Sequence, residues 1–285
     1  MFSIADLDTT DETIEVIASQ FFSRRVTLHS IQKGEKPKVV FRRIIDDDCG
    51  SPFCTVLADL DMVKYPTRCI IDSGSSIPTF QSGTSFSHVL VTNHESSSNR
   101  EGSNRVSGYQ NGREGEKDNP GESLMNGGSL FSYRIPCGKD QWKTKEWKRS
   151  IVATGIYVRD QILNMWNPGA PGLCYTFYPR REEAEFSEKR SSRPLIGIAG
   201  DCANKAIILR PTRSHQIQGD PSSSYSVMCE IDVGGTVGSL AIGYDDLPHA
   251  NKGNKDYAKI YIPSYENDKV LVFSMGRGED DDSNK

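Results

Sequence analysis

Histidines, cysteines and carboxylates next to glycine turns are the residues of this sequence whose types could do chemistry. Five histidines occur, and His88 and His94 flank one apolar run, Val89-Leu90-Val91. Alternation along a strand places residues an even number apart on one face, so these two imidazoles share a face and could serve proton transfer or bind a divalent metal such as zinc. His94 is the candidate acid or base, with Asp201 or Asp232 as its carboxylate partner. Asp59 and Asp61 stand two residues apart at the end of an apolar strand, with the positive charge of Lys64 close behind them. Tyr175 and Trp166 belong to a group of aromatics that could stack on a carbohydrate.

The seven cysteines, Cys49, Cys54, Cys69, Cys137, Cys174, Cys202 and Cys229, include no Cys-x-x-Cys pair. Their spacing therefore supports neither a zinc cluster nor a dithiol redox motif. Most lie in apolar runs, where a reduced cysteine acts as a small hydrophobe. No secretory signal opens the chain, because the first residues turn acidic at once, and a cytoplasmic location is the expectation.

These residues sit between short runs rich in β-branched side chains. Examples are Val26-Thr-Leu, Cys54-Thr-Val-Leu-Ala, Lys205-Ala-Ile-Ile-Leu and Lys269-Val-Leu-Val-Phe, each bounded by Gly, Pro, Asp or Ser. The 25 glycines and 14 prolines agree with many turns, and 36% hydrophobic content suffices for a folded core. No run approaches the roughly 18 apolar residues of a membrane-spanning helix. The balance of 34 basic against 38 acidic residues argues against a nucleic-acid coat. A protein or a carbohydrate is the expected partner.

Residues 1–22 read as an N-terminal extension whose Ile14, Val16, Ile17 and Phe21 fit a short helix or a strand. Residues 23–276 form the β domain. A polar stretch over 95–128 is expected as a mobile insert, and 277–285 as an acidic tail.

Several strand pairs share one layout, in which an apolar strand runs into an Asp-containing turn and a second apolar strand follows. Leu195 to Asp201 followed by Lys205 to Leu209 is one, and Leu240 to Asp246 leading to Ile260 is another. Repeated antiparallel strands of this kind suggest blades around an axis, which leaves no long exposed sheet edge. The fold class expected is all-β, a β-propeller-like array of antiparallel four-stranded blades.

Ala58-Asp59-Leu60-Asp61 before an apolar strand resembles the FG-GAP (VCBS-type) repeat of β-propellers, whose Asp-rich turns often hold calcium; the resemblance implies Asp59 and Asp61 as metal ligands, although Lys64 stands where the family has an oxygen ligand or glycine. Val89 to Glu95, Asn167 to Gly172, Arg193 to Asp201 and Ile260 to Glu266 are similar to stretches of such proteins. A likeness to the propeller of fungal aldos-2-ulose dehydratases goes with these. The resemblance implies a binding scaffold, or alternatively a sugar lyase or dehydratase on the same fold. Separately, Ile70-Ile71-Asp72-Ser73-Gly74 resembles the Asp-Thr/Ser-Gly motif of aspartic proteases, with Asp232-Val233-Gly234 as its second copy. That chemistry needs two carboxylates side by side sharing one proton.

Overall fold

The computed structural model describes residues 1–7, 12–60, 86–94, 128–136, 140–156, 170–177, 193–201, 205–211, 225–235, 237–243, 258–264 and 267–275. The insert expected over 95–128 lies outside them up to residue 127, as does the acidic tail.

Among the described residues the chain is almost wholly strand and forms four antiparallel sheets. The first sheet holds β1 (Phe2–Ala5), β2 (Thr13–Gln20), β3 (Arg25–Gln32) and β4 (Lys38–Asp46) in that order. The second holds β5 (Pro52–Ala58), β6 (His88–Asn93), β7 (Gly128–Arg134) and β8 (Arg149–Ile156), with the short helix α1 (Gln141–Thr144) between the last two. The third holds β9 (Ala170–Phe177), β10 (Leu195–Asp201), β11 (Lys205–Pro211) and β12 (Tyr225–Asp232). The fourth holds β13 (Ala241–Gly243), β14 (Ala258–Ser264) and β15 (Lys269–Met275).

Each sheet is an up-and-down meander in chain order, as a blade is. The segment where helix and strand competed is strand β2, which with β1 makes half of the first sheet. Its register with β3 runs unbroken from Thr13 opposite Gln32 to Gln20 opposite Arg25.

The sheets stack face to face in sequence, and side-chain alternation assigns each residue to one seam. In the second sheet, Leu57, Val89, Val91, Phe131 and Tyr133 point to the first sheet, where they meet Ile17, Val26 and Leu28. Cys54, Ala58, Leu90 and Leu130 point the other way, onto Cys174, Ile196, Ile198, Ile207 and Leu209 of the third sheet. The third sheet in turn sends Leu195, Ala199, Ala206 and Ile208 onto Leu240, Ile242, Ile260 and Ile262 of the fourth.

Strands inside this stack are covered on both faces. All six residues of β6 are buried, and so are Ala206 to Leu209 of β11. That is why both read as continuous apolar runs. Burying each Ile or Leu side chain contributes about 1.5–3 kcal/mol. In the end sheets burial alternates more weakly: β2 alternates between buried and half-buried positions, and β15 between exposed and half-buried ones.

Candidate functional site

His94 follows β6 directly. Its backbone N–H donates to the Ser51 carbonyl at 3.1 Å. Its ring stacks on Phe53 of β5, with centroids 4.9 Å apart and planes at 22°. Phe21, in the turn between β2 and β3, meets the same ring edge-on at 5.0 Å. The imidazole is thus half-buried between two aromatic rings, one from each of the first two sheets.

Asp201 closes β10, its backbone opposite Ala170. Asp232 closes β12 and pairs with Lys205 at the start of β11. His94 and Asp201 therefore take equivalent places, each at the C-terminal end of the second strand of its sheet, and Asp232 lies at the same end of the third sheet. The Asp232 side chain is exposed, and its Oδ1 accepts the Gly234 N–H at 2.9 Å. Gly234 has φ +66°, a left-handed conformation that glycine adopts without strain. This carboxylate is engaged in an Asx-type turn.

Asp59 follows β5, and the next residue, Leu60, donates its N–H to Ser87 Oγ at 2.8 Å. Asp61, Asp72 and Trp166 lie outside the described residues, so the calcium turn and the carboxylate pair are each represented by one member. Tyr175 stands on β9 opposite Gly197 and is partly exposed. No group of three or more His, Cys, Asp or Glu side chains placed to hold a metal ion occurs among the described residues.

Three features were not singled out from the sequence. One is a polar knot at the first seam. Asp46 Oδ2 accepts from Tyr133 Oη at 2.8 Å and from Arg149 Nη1 at 2.9 Å. Arg149 also donates to the Asp48 carbonyl at 3.0 Å. Burial chiefly, with the negative charge of Asp46, pushes the nearby Cys49 thiol up to about 12. Burial likewise holds the Tyr133 phenol well above its usual value.

The second feature is a pair of apolar outer faces. Across the first sheet, Ile4, Val16, His29 and Phe41 stand opposite one another in register, and Ile14, Ile31 and Val39 form a neighbouring row. Phe2 is 65% exposed, Ile4 53% and Phe41 57%. The inward side of β1 and β2 carries the polar residues instead: Ser3, Ser19 and the buried Glu15. Glu15 accepts from the Leu7 N–H at 2.9 Å and from Thr13 Oγ1 at 2.7 Å. On the far side of the stack, Ala241, Tyr261 and Val272 cross all three strands of the fourth sheet, beside Pro263 and Val270. Val272 is 54% exposed and Val270 61%. The sequence signal for both faces was alternation, but alternation does not tell which face is covered.

The third feature is that Cys54 and Cys174, two cysteines far apart in sequence, line the same core cluster between the second and third sheets.

No helix among the described residues is long and apolar enough to cross a membrane. No protein-family model matches the chain, and no curated protein matches it.

Proposed function

We propose that this chain is a β-propeller-like scaffold of the FG-GAP type that works by binding, and that its partner is a second copy of itself. One observation carries this reading: both end faces of the sheet stack present apolar side chains in register on three neighbouring strands, Ile14, Ile31 and Val39 on the first sheet and Ala241, Tyr261 and Val272 on the fourth. Contiguous apolar surface of this kind marks an interaction site. The three internal seams are built by pressing such rows together, so the same packing continued outward would cover both ends.

The fourth sheet of one copy then lies on the first sheet of the other. With the four sheets of the described residues, two copies close a ring of eight in this way, within the ~4–8 blades that propellers usually have. The contact is head-to-tail, and closure after two copies stops it from growing into a filament.

Sedimentation velocity over a wide concentration range tests this. The wild-type chain is expected to dimerise, whereas Phe41→Lys and Val272→Lys, each at an exposed position, sediment as monomers. Mixing the two variants restores association, because one of the two contacts then joins two unaltered faces. A wild-type chain that stays monomeric, or a variant that still dimerises, contradicts the reading.

A further inference from the structure

We propose that His29 makes self-association pH-sensitive: two copies hold together while its ring is neutral and separate once the ring is protonated. This inference rests on the reading that the outer faces of the first and fourth sheets bind one another.

His29 stands in the row Ile4, Val16, His29 and Phe41 that crosses the first sheet, and it is the residue that interrupts an otherwise apolar row. Its ring is half-buried and meets Phe41 edge-on, with centroids 5.5 Å apart and planes at 67°. Ile31, two positions along β3, continues the same face. A sheet laid over Val16, Ile31 and Phe41 therefore covers His29 as well.

A neighbour fixes where the ring holds its proton. Thr27 Oγ1 donates to the Ala18 carbonyl at 3.4 Å and lies 3.0 Å from His29 Nε2. A hydroxyl has one proton to give, so Thr27 accepts from Nε2–H. Acid then adds the second proton at Nδ1.

The surroundings of the ring offer no counter-charge. Arg25 lies on the same face at the start of β3 and is exposed. At the other end of the sheet, Lys33 and Asp6 pair with each other at 3.6 Å. Arg42 and Arg43 of β4 are turned elsewhere, Arg42 Nε donating to Ser30 Oγ at 2.8 Å and Arg43 Nη1 to the Lys145 carbonyl at 2.6 Å. On the fourth sheet the ionisable side chains are Lys259, whose Nζ donates to Ser274 Oγ at 2.6 Å, Tyr261 and Lys269. The three strands of that sheet hold no carboxylate, and Asp268 stands in the turn before β15.

On the free face, water hydrates an imidazolium. Beneath Tyr261 and Val272 the same charge loses that water and meets lysines instead of an acid, so docking favours the neutral ring. The docked state binds fewer protons than the free one. Association is therefore complete while the ring is neutral and is lost as pH falls. Histidine is the side chain that changes charge between about pH 5 and 8.

Sedimentation velocity of the full chain at about pH 8 and about pH 5 tests the proposal. The wild-type dissociation constant is expected to rise at least about tenfold at the lower pH. His29→Phe and His29→Gln, two variants without a titrating ring, are expected to associate in the same proportion at both pH values. A wild type that dimerises equally at both, or a variant that shows the wild-type loss at pH 5, overturns the role of His29 and leaves self-association standing. A wild type that is monomeric at pH 8 overturns the self-association itself.

Discussion

The first and third seams join similar sheets by different means. Between the first and second sheets, polar side chains cross the gap. Ser3 Oγ donates to the Thr55 carbonyl at 2.7 Å and Ser19 Oγ to the Phe53 carbonyl at 2.5 Å, while Asp46 gathers Tyr133 and Arg149. Between the third and fourth sheets the seam is aliphatic, and Leu240 presses into the space over Gly197. A Cβ built at Gly197 would stand 2.5 Å from Leu240 Cδ1 and 3.2 Å from Ile242 Cδ1. Directional bonds fix the register of the first seam, because each donor must point at its acceptor across the gap. The third seam gains its fit from shape, which is sensitive to volume.

This contrast can be broken at either seam. The largest effect is expected from Ile208→Ala, which opens a cavity in the third seam and lowers stability by about 2–5 kcal/mol in denaturant titration. A loss under about 1 kcal/mol would mean that the seam collapses around the gap. Next comes Gly197→Val, expected to cost about 1–3 kcal/mol by overpacking. Because the nearest atom is the flexible end of Leu240, pairing it with Leu240→Ala recovers part of that loss, and simple additivity would show that the two positions do not touch.

Asp46→Ala at the first seam is expected to cost roughly 1–2 kcal/mol, because the Tyr133 hydroxyl and the Arg149 guanidinium lose their shared acceptor. The half-exposed position of Arg149 lets water replace part of that bond, which keeps the effect below that of a core cavity.

The effect that is smallest near neutral pH is a pH dependence at the first seam. The folded chain holds the Cys49 proton to about 12, whereas an unfolded chain releases it near 9.0. The contribution is therefore complete below pH 9 and is lost as pH rises toward 12. Thermal melts of the wild type should fall across that window, more steeply than those of Cys49→Ala. Identical slopes would remove Cys49 from the account.

The strand composition and the repeated meander were legible because middle sheets are covered on both faces and leave continuous apolar runs such as Ala206 to Leu209. The hairpin from Leu195 to Leu209 was legible through its Asp-containing turn, and its register follows, with Ile198 opposite Ile207. The start of the chain was ambiguous for a physical reason. In β2 the inward positions are Glu15, Ile17 and Ser19, so a buried carboxylate and a hydroxyl interrupt the pattern that signals a core face, while Ile14 and Val16 point outward.

That Cys54 and Cys174 line one seam was hidden because nothing in either segment announces which sheet face it will meet. The polar knot was hidden for the same cause, since Asp46, Tyr133 and Arg149 come from three separate strands. His94 was named from the sequence as a candidate acid or base, whereas its place beside aromatic rings was not legible because it depends on Phe21, contributed by a turn of another sheet.

The central claim is that the outer faces of the first and fourth sheets are binding surfaces for one another in two copies. Amide hydrogen exchange measured at rising protein concentration tests it most directly. Protection is expected to grow in β4 and β15, the strands that carry Phe41 and Val272, while β10 and β11 inside the stack stay unchanged. Exchange in β4 and β15 that does not depend on concentration would contradict the claim.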